Sequence, residues 1–417
     1  MSIHLESKKK LGINGIGRIG KLTLWNHLSA GHFESFVLNT GRRVGRELED
    51  VIDYLLKDST YGSLDRFLYG YSNKNCSVQI IDRETGLFAI NDRPIKVLME
   101  ARNPRDINWA RETVQLVVEC TGAYVDPATP AGEAKGSARG HLEAGAEKVI
   151  VSAPFKISDN AQKIPDDSGM FVYGINHVKY DPSKHHIISA ASCTTTGLAH
   201  MIKPLLETRE TSEIVTASMS TVHAATNNQK ILDAVPRAND SDLRRNRSVF
   251  NNIILTTTGA ATALEEIIPE IKDIGFMADS VRIPISTSSL IMLNVTFKTF
   301  LTETGDPLLN RNLINDLYRK AAKGAQKDML LYSDRQNVSS DLAGFSAAIV
   351  IEGTETHTRT GFIPVNATTL RECGVESNVD INIPVTHAKI FGWYDNELGS
   401  YVNFLGKLTV YVDKNMP

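Results

Sequence analysis

The chain has 417 residues, 42% of them hydrophobic, and a formal net charge of −3. That length can bury two or three cores. The near-neutral charge excludes a general basic field for nucleic acid, and no apolar run approaches a membrane span. The expected partner is a small molecule.

The N-terminal stretch MSIHLESKKK lacks the apolar core of a secretory signal, so a cytoplasmic setting is expected. Cys76, Cys120, Cys193 and Cys373 are scattered without CxxC spacing. Neither a disulfide framework nor a metal site is expected from them.

Next comes KLGINGIGRIGKLTLWNHLS, a short apolar strand running into Gly15, Gly17 and Gly20, then a helix with Ile19, Leu22, Leu24 and Leu28. In this strand–turn–helix context GxGxxG has a physical reading. The first glycine turns tightly, the second admits a pyrophosphate to the backbone, and the third lets helix pack on strand. FESFVLN supplies a second strand and TVQLVVECTG a later buried one ending at Thr121 and Gly122, as in a parallel sheet with ligand at its carboxyl ends. After the second strand, where an acidic residue would meet the adenine ribose of NAD, the chain has Asn39-Thr40-Gly41-Arg42-Arg43. No carboxylate repels a 2′-phosphate there. Arg42 and Arg43 read equally as a solvated loop pair or as a guanidinium fork for that phosphate.

In SAASCTTTGLAH (189–200), Cys193 lies among hydroxyls where an apolar strand gives way to a helix. Unpaired N–H groups and the helix dipole favour a thiolate at such a corner. From residue 213 the pattern becomes β-rich, and strands grouped after an alternating βα section argue for a separate, mainly antiparallel domain. His223 is expected just after a strand, opening the polar loop TVHAATNNQK, and the run from residue 281 reads as one long strand. A reactive cysteine needs a base nearby in space, and His223 is the candidate. Arg282 within a β-run is costly to bury without a bound anion or a carboxylate partner.

The blocks GINGIGRIGK (12–21), CTGAYV (120–125), SAASCTTT (189–196), STVHAATNNQK (220–230), TTTGAATALEEIIPE (256–270), VRIP (281–284) and GWYDNELGSY (392–401) together resemble the phosphorylating glyceraldehyde-3-phosphate dehydrogenase family. The resemblance implies a Rossmann-type dinucleotide-binding domain over 1–192 and 396–417, and an α+β catalytic domain over 193–395. It implies Cys193 as nucleophile and His223 as base. Ser192, Thr194, Thr258 and Gly259 would surround the attacking inorganic phosphate, while Thr226 and Arg282 would hold the phosphate of an aldehyde phosphate substrate.

On the same grounds, NAD or NADP would contact Asn14, Gly15, Gly17, Arg18, Ile19, Thr40, Thr121, Gly122 and Ser152, with Asn396 holding the nicotinamide carboxamide. Asp395 and Glu397 are expected to be structural. Erythrose 4-phosphate is an alternative substrate, and a non-catalytic nucleotide-binding scaffold an alternative function. The segment 232–248, with Arg237, Arg244, Arg245 and Arg247, stands where the family's S-loop lies and implies a homotetramer. Three departures stand out: Gly197 in place of a second cysteine, Ser400 in place of a tyrosine, and extra residues near 126–136, 155–168 and 353–385, the last expected to form a small hairpin or an interface.

Overall fold

The computed structural model describes residues 9–158, 163–236, 238 and 240–416; Arg237 and part of the 155–168 segment lie outside them. The chain divides into two compact units, one of Met1–Ser192 with Glu397–Pro417, the other of Cys193–Asn396. Asn396 is thus the last residue of the second unit.

The first unit holds a nine-stranded sheet in the order Ser168–Met170, Ile187–Ser189, Lys148–Val151, Leu116–Glu119, Lys10–Asn14, Ser35–Asn39, Arg93–Leu98, Leu87–Ile90, Val78–Asp82. The pairings from Ser168–Met170 through Arg93–Leu98 are parallel, and the two at the far edge are antiparallel. Leu11, Ile13 and Val118 on one face and Val117 on the other are all fully buried, as strands covered on both sides require. Lys10–Asn14 lies between Ser35–Asn39 and Leu116–Glu119, so the strand order reverses there and opens a crevice at the carboxyl ends.

The last helix, Asn403–Asn415, packs on the first, Arg18–Ala30. Glu397 locks the returning segment by accepting from Arg18 Nε at 2.8 Å and from its Nη2.

The second unit is an eight-stranded sheet running Ile254–Thr256, Phe276–Ile283, Ile214–Ala224, Ser289–Lys298, Ile381–Tyr394, Ile349–Glu352, Leu330–Ser333, with His357–Val365 added on Ile381–Tyr394. Period-two burial puts Ile291, Leu293, Val295 and Phe297 inward, and the helix Cys193–Glu207 packs against this sheet.

Two sequence expectations change here, the single strand from 281 and the place of His223. The stretch from 281 is two strands, Phe276–Ile283 and Ser289–Lys298, because Pro284 lacks a ladder N–H and Ser288 turns through φ +66°. The sheet is mainly antiparallel but includes two parallel pairings, Ile214–Ala224 with Phe276–Ile283 and Leu330–Ser333 with Ile349–Glu352. His223 lies within its strand, one residue before the end, instead of in the following loop. The 353–385 segment does form a hairpin: His357–Val365 pairs with the start of Ile381–Tyr394, and the helix Ala367–Glu372 lies between them.

Candidate functional site

At the switch point of the first unit the three glycines differ in their surroundings. Gly15 turns through φ +87°, and a Cβ there would lie 2.8 Å from Thr121 Cγ2. A Cβ on Gly17 would meet nothing within 4 Å, whereas one on Gly20 would collide with Gly15 O at 1.8 Å. Gly17 is also the N-cap of Arg18–Ala30 and makes no side-chain cap bond, so the open space adjoins free helix N–H groups. Thr121 and Gly122 are exposed beside it, Gly122 at φ +69°.

Asn14 and Arg18 have their side chains engaged by the protein. Asn14 Nδ2 donates to Glu119 Oε2 at 2.5 Å, and its Oδ1 accepts from Asn39 Nδ2 at 2.8 Å. Arg18 faces Glu397 and Thr60, which leaves Ile19 and the other first-turn peptides as the groups facing outward. Thr40 Oγ1 donates within its own turn to Arg42 O at 2.5 Å, while Arg42 and Arg43 are exposed. Ser152 is half-buried, its N–H donating to Glu119 O at 2.9 Å.

Sequence reading missed Glu119. Fully buried, its carboxylate accepts from Asn14, from Thr121 N at 2.6 Å, from Thr121 Oγ1, and from His141 Nε2 at 2.9 Å, while His141 Nδ1 accepts from Trp109 Nε1 at 2.9 Å. A carboxylate ending an otherwise apolar strand was the signal available, since such a charge is kept only where hydrogen bonds satisfy it.

In the second unit Cys193 is the first residue of a 15-residue helix. The turn before it is tight: Ala191 has φ +56°, its N–H donates to Ser189 Oγ at 3.1 Å, and its carbonyl accepts from Tyr401 Oη at 3.1 Å. Cys193 Sγ lies 3.5 Å from His223 Nε2. His223 Nδ1 lies 2.8 Å from Ala224 O, and Arg282 Nη1 also approaches Nδ1 while donating to Ala224 O at 3.1 Å. One proton cannot serve both contacts. Because the guanidinium already has the carbonyl as acceptor, we assign the Nδ1 proton to Ala224 O, which leaves Nε2 a bare acceptor toward sulfur.

Burial, followed by the neighbouring Arg282 charge, pushes the His223 imidazole down to about 3, so it stands neutral. Arg282 and the Cys193 thiolate are coupled in the favourable sense. Burial pushes the Cys76 and Cys120 thiols up to about 12.

His223 and Arg282 are register partners across parallel strands. Among the described residues Arg282 has no carboxylate partner, and its Nε is buried without a hydrogen bond. Burial, the largest influence, lowers its pKa, and the positive charge of Arg245 acts in the same sense. Arg244 and Arg247 are paired with Asp242 and Asp233, at 2.7 and 3.0 Å.

Thr194, buried, meets Tyr394 Oη at 2.8 Å, and that hydroxyl also meets Thr221 Oγ1 at 2.9 Å. Burial pushes the Tyr394 phenol well up, so it stays protonated and joins the residue after Cys193 to the strand carrying His223. Tyr394 and Thr221 were not anticipated; WYDNE drew attention to its other residues.

Ser192 is half-buried just before the helix that Cys193 begins. Thr226 N and Oγ1 both donate to Gln229 Oε1 at 2.9 Å. Thr258 Oγ1 accepts from Ala260 N at 3.2 Å, and exposed Gly259 is the N-cap of Ala260–Ile267, without a side-chain cap. Asn396 is buried and accepts at Oδ1 from Ser289 Oγ, 3.1 Å away. Asp395 accepts from Thr287 Oγ1 at 2.8 Å and from Gly344 N at 2.7 Å.

The first unit carries a nucleotide-type crevice, and the second a cysteine beside a neutral histidine and an arginine that has no carboxylate partner among the described residues. Residues 9–127 match the glyceraldehyde 3-phosphate dehydrogenase NAD binding domain, and residues 192–396 the C-terminal domain of the same family. The chain is 33% identical to glyceraldehyde-3-phosphate dehydrogenase 2 of Streptomyces avermitilis, over 98% of this chain and 99% of that one. It is 33% identical to the Geobacillus stearothermophilus glyceraldehyde-3-phosphate dehydrogenase over 97% and 98% of the two chains. It is 31% identical to the cytosolic enzyme of Chlamydomonas reinhardtii over 98% of each. The chain belongs to the glyceraldehyde 3-phosphate dehydrogenase family.

Proposed function

We propose that the chain oxidises glyceraldehyde 3-phosphate to an acyl phosphate, with NAD or NADP as hydride acceptor. The observation that carries this reading is the 3.5 Å approach of Cys193 Sγ to His223 Nε2 at a helix N-terminus, beside the Arg282 guanidinium, whose buried Nε has no hydrogen bond.

Nε2 takes the thiol proton, and the thiolate adds to the aldehyde carbon to give a thiohemiacetal. His223, neutral again once the oxyanion has been protonated, accepts the hydroxyl proton as hydride departs, leaving a thioester on Cys193. The bound nicotinamide supplies the two-electron acceptor, with Asn396 orienting it and the crevice at Gly15, Gly17, Ile19, Thr121, Gly122 and Ser152 holding the nucleotide. Inorganic phosphate at Ser192, Thr194, Thr258 and Gly259 opens the thioester, and Cys193 leaves as thiolate. Thr226 and Arg282 hold the phosphate of the substrate, whose charge supplies the partner that the buried Arg282 Nε lacks.

The residues at the crevice fit a dinucleotide, since a Cβ at Gly17 would occupy the open space beside the free helix N–H groups. The missing carboxylate at Thr40 and the exposed Arg42 and Arg43 support use of NADP as well as NAD. Exposed Leu232, Val235, Phe250 and Ile253 form an apolar loop surface that supports coverage by a neighbouring subunit, as in a homotetramer. No helix among the described residues is long and apolar enough to cross a membrane. The relative from Chlamydomonas reinhardtii is named as cytosolic, which supports a cytoplasmic setting for this chain.

The test is phosphate- or arsenate-dependent reduction of NAD and NADP with glyceraldehyde 3-phosphate, comparing wild type with Cys193→Ala. Activity is expected to fall by several orders of magnitude while cofactor binding survives; equal turnover by the two proteins would reject the covalent route.

A further inference from the structure

Ser289 opens the strand Ser289–Lys298, directly after Ser288, which is held at φ +66°, and it is fully buried. Its hydroxyl makes two contacts of different kinds. Ala224 N–H donates to Oγ at 3.0 Å, and Oγ lies 3.1 Å from Asn396 Oδ1. A peptide N–H can only donate, so the first contact fixes Oγ as acceptor, and its single hydrogen is directed to Asn396. The Asn396 amide is thereby held with oxygen inward and nitrogen free to donate away from Ser289. The carbonyl of the same Ala224 residue accepts from His223 Nδ1 at 2.8 Å and from Arg282 at 3.1 Å.

We infer that Ser289 is a positioning residue. One buried hydroxyl sets the donor–acceptor sense of the Asn396 amide and ties it to the residue whose carbonyl fixes the His223 tautomer. Because the site is buried, water is poorly placed to replace the hydroxyl, and losing it leaves Ala224 N–H and Asn396 Oδ1 unpaired together. The amide can then turn over and present its oxygen where a donor is needed. Thr287 Oγ1, 3.4 Å from the same Oδ1 and committed to Asp395 at 2.8 Å, is too distant to hold the amide alone.

This inference rests on the assignment of Asn396 to the nicotinamide carboxamide, so the experiment separates the two. Ser289→Ala, Ser289→Thr and Asn396→Ala are compared for cofactor KM, for kcat, and for the face of hydride transfer, read with NAD deuterated at the nicotinamide C4. The rate of Cys193 alkylation by iodoacetamide reports whether the thiol site is intact. Ser289→Ala is expected to raise cofactor KM about tenfold, the cost of one buried hydrogen bond. It should also degrade the stereochemistry of transfer while alkylation stays within about twofold, and Ser289→Thr should recover both. A purely structural role would alter stability and alkylation together without touching the face of transfer.

Wild-type KM and stereochemistry in Ser289→Ala, with Asn396→Ala impaired, would overturn the relay itself. Unchanged behaviour of Asn396→Ala would overturn the assignment on which the relay rests. If the alanine variant does not fold, Ser289→Cys, which keeps the size and weakens the donor, gives the same comparison.

Discussion

His223 and Arg282 face each other across a parallel strand pair, so one sheet register brings together a base and a cation that lie 59 positions apart in the chain. The cation cannot share a proton with the base, but its charge, together with burial, keeps the imidazole neutral. Removing that charge as Arg282→Gln should therefore raise the His223 pKa toward its ordinary value. The acid limb of kcat/KM, or of iodoacetamide alkylation, should move to higher pH. Phosphorylated substrate should lose about a hundredfold or more in kcat/KM, and an unphosphorylated aldehyde much less, because a desolvated charge pair is lost only in the first case. Equal losses for both aldehydes would remove Arg282 from the substrate phosphate.

Tyr394 gives a second prediction. Tyr394→Phe deletes the hydroxyl between Thr194 and Thr221 and leaves both threonines without it in a buried setting. A loss of about 1–3 kcal/mol in stability is expected. Slower alkylation of Cys193 should accompany it, since the first turn of the helix Cys193–Glu207 is no longer tied to the strand that carries His223. Chemical denaturation together with timed alkylation measures both.

At Thr40, replacement by aspartate places a carboxylate where an adenine ribose would carry its 2′-phosphate. NADP use should worsen by about tenfold or more relative to NAD use. Steady-state kinetics with both cofactors decides it, and equal effects on the two would take this position away from the ribose.

Acid stability has a distinct source. His27 is completely buried in the helix Arg18–Ala30, neither ring nitrogen has a hydrogen-bond partner, and burial pushes it down to about 3. The neighbouring His32 adds to that lowering and Asp413 opposes it. The folded-state value is below the unfolded one, so the unfolded chain binds the proton first. Stability is therefore whole above about pH 6.5 and declines as pH falls toward 3, by up to about 1.4 kcal/mol per pH unit. His223 adds a slope of the same sign. His27→Leu should flatten the decline, so the melting temperature of the variant relative to wild type should rise between pH 7.5 and pH 5.

Local chemistry explains what was legible in the sequence. Gly15, Gly17 and Gly20 are recognisable because a tight turn, an open approach and a close packing distance each exclude side chains, and Cys193 because hydroxyls crowd a strand-to-helix corner. The parallel pairing of His223 with Arg282 was not legible, since register across distant strands depends on the whole sheet. Pro284 and Ser288 did mark the break that was read as a continuous strand. Ser289 and Thr221 carried no signal, as serine and threonine are common in strands and their roles arise only when a partner is folded against them. Arg282 stands out in the sequence as a charge within a β-run, and among the described residues no carboxylate lies beside it.

The first sheet is closed by the last helix: Asn403–Asn415 lies on Arg18–Ala30, and Glu397 clasps Arg18. During synthesis that unit stays open along one side until the returning segment from Glu397 has emerged, while Cys193–Asn396, an uninterrupted segment, is made before it. A ribosome stalled at about residue 397 would therefore hold a nascent chain whose nucleotide fold is still unsealed although its thiol-bearing segment is fully made.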